Sequence, residues 1–235
     1  MSQGTMTGSS SNNNSSPYSD AVQLQRQIAG DVIDWDDFGE IENICAVDVA
    51  YDDRNAYCSA VTMSRSGDFI ESADSASEIA YPYVPGLMML REAPPIFQTL
   101  ELLREGYDLL LLDGHGRLHP RRCGIACYVG VKLSRPAIGV AKSLLCGNAR
   151  KDGSIELGGE ILGQSIEIGG GTKRMKKTKT KNKKLLYVSV GHRISLPTAA
   201  SIVRELGKGS MPEALRRADA NSKSQKKKKG SLPRI

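Results

Sequence analysis

The spacing of apolar and polar positions changes period several times along the chain, and each change marks an element. Residues 20–29 read as a short helix, capped near Ser19 or Asp20 and broken at Gly30. Residues 31–42 hold six carboxylates without periodicity and read as a solvated connector. β-Formers dominate 43–52 and 56–64 around an Asp-Asp-Arg-Asn turn, which predicts a hairpin, and a third strand is expected near 68–72. Residues 81–87 carry two prolines and a glycine and so form a shaped loop. Ile96, Leu100 and Leu103 recur at helical spacing, predicting a helix over 94–105 that opens on proline. Leu109 to Asp113 is a continuous apolar run ending in an acid, the mark of a strand buried on both faces. A helix of small residues over 124–133, a buried strand over 137–141 and a helix over 197–206 capped at Ser195 follow. Segments 160–168 and 185–190 pair as a second hairpin. A hairpin followed by β/α alternation predicts an α/β fold, a mixed β-sheet flanked by helices, without internal repeats.

Length and composition fit one folded domain: 235 residues, 40% hydrophobic and 25% charged. No run approaches the ~18–20 apolar residues of a membrane span, and the N-terminus lacks a basic-then-apolar signal pattern, so an intracellular, cytoplasmic protein is expected. The five cysteines are an odd set in mostly apolar segments, which predicts buried free thiols in a reducing compartment. Charge is distributed unevenly. The net +6 includes eight Lys/Arg within 173–184, and without them the remainder stands at 6 − 8 = −2. Residues 226–229 add four lysines. The expected organisation is a disordered Ser/Asn-rich tail at 1–19, one domain over 20–219 with a basic loop at 169–184, and a basic flexible tail at 220–235.

The chemistry concentrates at strand ends. Asp48 interrupts an apolar strand and Asp113 ends one, and a buried carboxylate needs a hydrogen-bond partner, a cation or a metal. Strand ends are where ligand crevices form in open α/β sheets, and two such acids make a hard-oxygen site suited to Mg²⁺, with Glu92 as a third contributor. Spacing alone leaves open that Asp113 caps a turn and Asp48 pairs with an arginine. His115, His119, Cys123 and Cys127 fall at intervals of four and are all zinc-ligand types, but Gly114, Gly116, Pro120 and Gly124 break any helix that would align them. The two histidines fit better around a phosphate or a base, with the arginines at 117, 121 and 122 as an approach to phosphate. Lys142 follows the apolar strand at 137–141, where its ammonium can offset charge on a phosphate, or can simply snorkel to the surface. His192 also follows a β run.

Five segments together resemble one family: AVDVAY (46–51), YPYVPGLMMLRE (81–92), LLDGHGRLHPRRCGIACYVGV (111–131), IGVAKSLL (138–145) and VSVGHRIS (188–195). Their order and spacing are similar to those of the endonuclease V family, deoxyinosine-directed nucleases of ribonuclease H-like fold. The resemblance implies Asp48, Glu92 and Asp113 as the acidic catalytic and metal set, with Lys142 and His192 in support. It implies Tyr83 as the wedge at the lesion, and Pro85, Gly86, Gly114, His119 and Gly124 as the lining of a pocket for the displaced base. It further implies Mg²⁺, with Mn²⁺ as substitute, and a monomer that cuts deoxyinosine-containing DNA at the second phosphodiester 3′ to the lesion, leaving 3′-hydroxyl and 5′-phosphate ends. Inosine-containing RNA is the alternative substrate, and a non-cutting nucleic-acid-binding protein that grips through the basic loop is the alternative function. The match departs from the pattern at Tyr128, where many members carry histidine, and at 211–219 (MPEALRRAD), where Ala-Leu stands for the family's Pro-Thr. The basic loop and the N-terminal tail are unmatched.

Overall fold

Nine strands form a single mixed sheet in the computed structural model, which describes residues 18–169 and 184–230. β1 (Asn43–Tyr51), β2 (Asn55–Ser64) and β3 (Phe69–Glu78) are an antiparallel meander. β1 then pairs in parallel with β4 (Leu109–Asp113), and β4 with β5 (Ala137–Ala141). β6 (Asn148–Ala149), β7 (Ser154–Leu157), β8 (Glu160–Ile168) and β9 (Lys184–His192) extend the sheet, with β9 antiparallel to β5. The order β3-β2-β1-β4-β5-β9-β8-β7-β6 puts the leucine run of β4 between the other two parallel strands, and all four leucines are buried.

Alternation along the strands sorts the core into two layers. Cys45, Val47, Leu110 and Leu112 pack under α2 (Met88–Leu100) and α3 (Ile125–Leu133). Ile44, Ala46, Leu109 and Leu111 pack under α4 (Leu196–Gly207) and α5 (Glu213–Gly230). α1 (Ser19–Gly30) covers α3 through Ile28, Cys123 and Cys127. All five cysteines are free, and four are buried.

Several elements differ from the sequence expectation. α2 starts at Met88, so Pro94 and Pro95 lie inside the helix and not at its start. Interior prolines each cost a backbone hydrogen bond, and burial of Met89, Ala93, Ile96 and Leu100 against the sheet offsets that loss. The third strand extends to Glu78. The acids of 31–42 are tied down: Asp34 pairs with Arg117, Asp37 with Arg193, and Asp36 accepts from Ser195 N and the Thr198 hydroxyl. The C-terminal segment continues as helix past residue 219 to Gly230, with Ser222 fully buried. Residues 170–183, which carry most of the basic loop, and the expected tail over 1–17 lie outside the described residues. Among the described residues no helix is long and apolar enough to cross a membrane.

Candidate active site

Parallel pairing delivers the acids to one edge. Val47 is in register with Leu112, so Asp48 and Asp113 follow side by side at the carboxyl ends of β1 and β4. Asp113 pairs with Val140, which brings Lys142, just past β5, to the same edge. α5 adds Asp219 from the other end of the chain. Carboxylate oxygens of Asp48, Asp113 and Asp219 lie within 4.8 Å of one another. Lys142 Nζ donates to Asp113 at 2.5 Å and to Asp219 at 2.9 Å, and Ser222 Oγ donates to Asp48 at 2.6 Å.

The electrostatics reflect crowding of like charge in a half-dry site. Burial pushes the Asp48 carboxyl up to about 6, against the lowering effect of the Ser222 hydrogen bond, and the charges of Asp113 and Asp219 add to the rise. Glu92 lies one turn inside α2, buried, and desolvation raises it to about 8, with Asp48 and Asp113 contributing further. Burial works to lower the Lys142 ammonium, but its bonds to Asp113 and Asp219 dominate and hold it above the ordinary lysine value. Three carboxylates without histidine or cysteine are a hard donor set, which fits Mg²⁺ or Mn²⁺ and not a soft-ligand metal. Asp219 joins Asp48 and Asp113 in that set, and Glu92 lies beside it, lining a small cleft with Asp48 and Asp113. The only sequence signal for Asp219 was the partial match over 211–219.

Beside the acids lies a cavity of about 210 Å³. Tyr83, Pro85, Gly86, Gly114, His119 and Gly124 all line it, and Glu92 and Asp113 form part of the same wall. Tyr83 is 62% exposed at the rim. Close backbone packing shapes the floor: a Cβ on Gly124 would sit 2.1 Å from the carbonyl oxygen of His115, so only glycine fits there. Burial lowers His119 to about 4, with Arg121 adding to the effect, so its ring is neutral at pH 7. Its Nδ1 accepts from Arg121 N at 3.2 Å, which places the ring proton on Nε2.

Gln25 of α1, which sequence patterning passes over, clamps the two loops of this cavity. Its Nε2 donates to Gly86 O at 3.0 Å and to Cys123 O at 2.9 Å, and its Oε1 accepts from Arg121 Nε at 2.5 Å. The arginines expected to approach phosphate are consumed in such contacts. Arg121 also donates to Gly86 O, Arg122 donates to Leu157 O, and Arg117 pairs with Asp34. His192 is not brought to the acids. β9 runs antiparallel to β5, so its carboxyl end pairs with Ala137 at the opposite edge of the sheet, and the His192 ring accepts from Ile33 N at 3.2 Å. Tyr128 lies outside the cavity lining and packs against Phe97, with ring centroids 6.4 Å apart.

The profile of the endonuclease V family matches residues 26–220. Endonuclease V from Roseiflexus castenholzii is 38% identical over 203 residues, covering 86% of this chain and 90% of that protein. The crystal structure of endonuclease V from Streptomyces avermitilis superposes with a TM-score of 0.77 at 30% identity, over 90% of this chain and 94% of that one. Ciona intestinalis endonuclease V, solved in complex with a 24mer DNA containing an inosine followed by a ribo-adenosine, gives a TM-score of 0.75 at 25% identity, over 89% and 97% of the two chains.

Proposed function

The chain belongs to the endonuclease V family, and from that premise we propose that it is a Mg²⁺-dependent nuclease that cuts deoxyinosine-containing DNA at the second phosphodiester 3′ to the lesion, leaving 3′-hydroxyl and 5′-phosphate ends. One observation carries the reading: Asp113 and Glu92 belong both to the wall of the 210 Å³ cavity and to the acid-rich edge. A base turned into the cavity therefore sets its own 3′ phosphates beside the carboxylates.

The protein's part in the reaction is to extrude, hold and polarise. An enzyme that reads an altered base takes it out of the stack, and the Tyr83 ring on a proline-stiffened loop fills the space left behind. Gly114 and Gly124 let backbone groups approach the extruded base. Asp48, Asp113 and Asp219 would hold the ion, which when bound supplies Lewis-acid polarisation of a phosphoryl oxygen and an activated water. Lys142 sets a positive charge beside Asp113, where negative charge grows on the phosphate. Glu92, buried beside Asp48 and Asp113, closes the wall between the cavity and the reacting edge.

The test is cleavage of end-labelled duplexes with one deoxyinosine, and of RNA with one inosine, with Mg²⁺ or EDTA. The expected product is a single cut at the second phosphodiester in Mg²⁺ only. Asp113→Asn should lose at least about 10²-fold in rate and still bind. No cleavage of either substrate with metal present refutes the reading, and a cut in RNA alone moves the substrate to inosine-containing RNA.

A further inference from the structure

We propose that the lysine-rich C-terminal half of α5 is a phosphate-binding rail for the nucleic-acid strand on the 3′ side of the cut, a proposal that rests on the nuclease reading above. Beyond Asp219 the helix carries Lys223 and then Lys226, Lys227, Lys228 and Lys229, with no further acid before Gly230. On composition alone these lysines belong to a solvated tail. In the fold they sit on a helix fixed to the catalytic sheet: Ala214, Leu215 and Ala218 are buried, Ser222 donates to Asp48, and Gln225 Nε2 donates to Cys58 O at 3.2 Å.

Those anchors give the direction of the helix. Cys58 is in register with Val49, one residue beyond Asp48, so α5 advances toward the carboxyl end of β1. The next turn, with Lys226, Lys227 and Lys228 all exposed, therefore lies at the same edge as the carboxylates. At 1.5 Å per residue, Lys226 is about 10 Å along the axis from Asp219. That is roughly three nucleotide steps at 3.4 Å each.

The base cavity is built from the helical layer of α2 and α3, and α5 lies on the opposite face, with the acids between them at the edge. A strand with its lesion in the cavity and a bond 3′ to the lesion at the acids continues onto α5. The arginines of the 117–122 loop are engaged within the fold, so they do not supply the phosphate contacts that a polyanion needs. Lys223 pairs with Asp219, and the exposed Lys226, Lys227 and Lys228 extend the run of positive charge from the acids along the helix. Local charge of this density, aligned with the helix C-terminus where cations are favoured, suits a phosphate backbone.

The experiment compares wild type with K226Q/K227Q/K228Q, which keeps helix propensity and spares Lys223. Each is assayed on deoxyinosine oligonucleotides with either a long 3′ flank or a single nucleotide 3′ of the cut. On the long flank the variant should bind more weakly, and the slope of log affinity against log salt should fall by about 2–3. On the short flank the two proteins should coincide. The single-turnover rate at saturating substrate should be unchanged, and circular dichroism should show an intact fold. An unchanged slope on the long flank, or equal weakening on both flanks, overturns the rail. If wild type cuts neither substrate, the nuclease reading fails instead, so the two failures are distinguishable.

Discussion

Removing divalent cations and then raising the pH should destabilise this protein, because the fold holds Glu92 in a place that favours its neutral form. A carboxyl whose folded value lies above its unfolded one binds its proton more tightly in the folded state. Stability is therefore fully present below the unfolded value and is lost as pH rises through the folded one. For Glu92 the window runs from 4.5 to about 8. Asp48, raised to about 6, acts in the same direction over a lower range. His119 acts in the opposite sense: depressed to about 4, it removes stability as pH falls below the ordinary histidine value of 6.5. Below pH 6.5 the slopes oppose, and from 6.5 to 8 Glu92 acts almost alone. At about 1.36 kcal/mol per pH unit the loss over that interval is roughly 2 kcal/mol. For a domain of this size that lowers Tm by roughly 4–8 °C. Melts of EDTA-treated protein at constant ionic strength should show the fall, and Glu92→Gln should abolish it. Saturating Mg²⁺, held by the three aspartates, should raise Tm, by about 2.7 kcal/mol equivalent when the ion is at 100 times its Kd. A flat Tm over this interval without metal, or a slope that survives Glu92→Gln, would refute the argument.

Three further outcomes follow from other contacts. Gln25→Leu keeps the volume but leaves the buried Cys123 carbonyl and Arg121 Nε without their partner, while Gly86 O keeps its bond from Arg121, so urea unfolding should show a loss on the order of 2 kcal/mol, and KM for inosine substrates should rise more than kcat falls. A loss below about 1 kcal/mol would mean the clamp is dispensable. Tyr83→Ala removes an exposed ring, so stability should stay within about 0.5 kcal/mol while affinity for deoxyinosine duplexes drops about tenfold, in line with the loss of one stacking contact. Equal weakening on undamaged duplex would remove the wedge role. Tyr128→His should leave cleavage rates unchanged and lower stability by about 1 kcal/mol through the lost packing on Phe97, and a collapse in rate would return that position to the site.

What was legible in the sequence depended on how local the determining physics was. Four leucines ending in Asp113 announce a doubly buried strand, because an apolar run without alternation leaves no face for water. The Ser195 cap and the Gly124 start of α3 were equally local. The start of α2 is not legible from its prolines, because burial of its apolar face tolerates Pro94 and Pro95 inside the helix. α5 leaves a faint pattern because its anchoring residues are few, Ala214, Leu215, Ala218 and Ser222, among many charges. His192 lies at the opposite edge because a residue after a β run reaches the edge of the acids only if its strand is parallel to β4, and strand direction is a property of topology.

The same reasoning explains why the acid set needs the whole chain. β1 and β4 bring Asp48 and Asp113 together by register, but two like charges with Glu92 buried beside them have no net reason to stay close. α5 supplies the compensation along with the third acid. Ser222 orients Asp48, Lys223 neutralises part of Asp219, and Lys142 bridges Asp219 to Asp113. Docking of the helix and assembly of the donor set are therefore one event. A buried apolar seam of Ala214, Leu215 and Ala218 sets its position, and hydrogen bonds from its next turn set the geometry of the carboxylates.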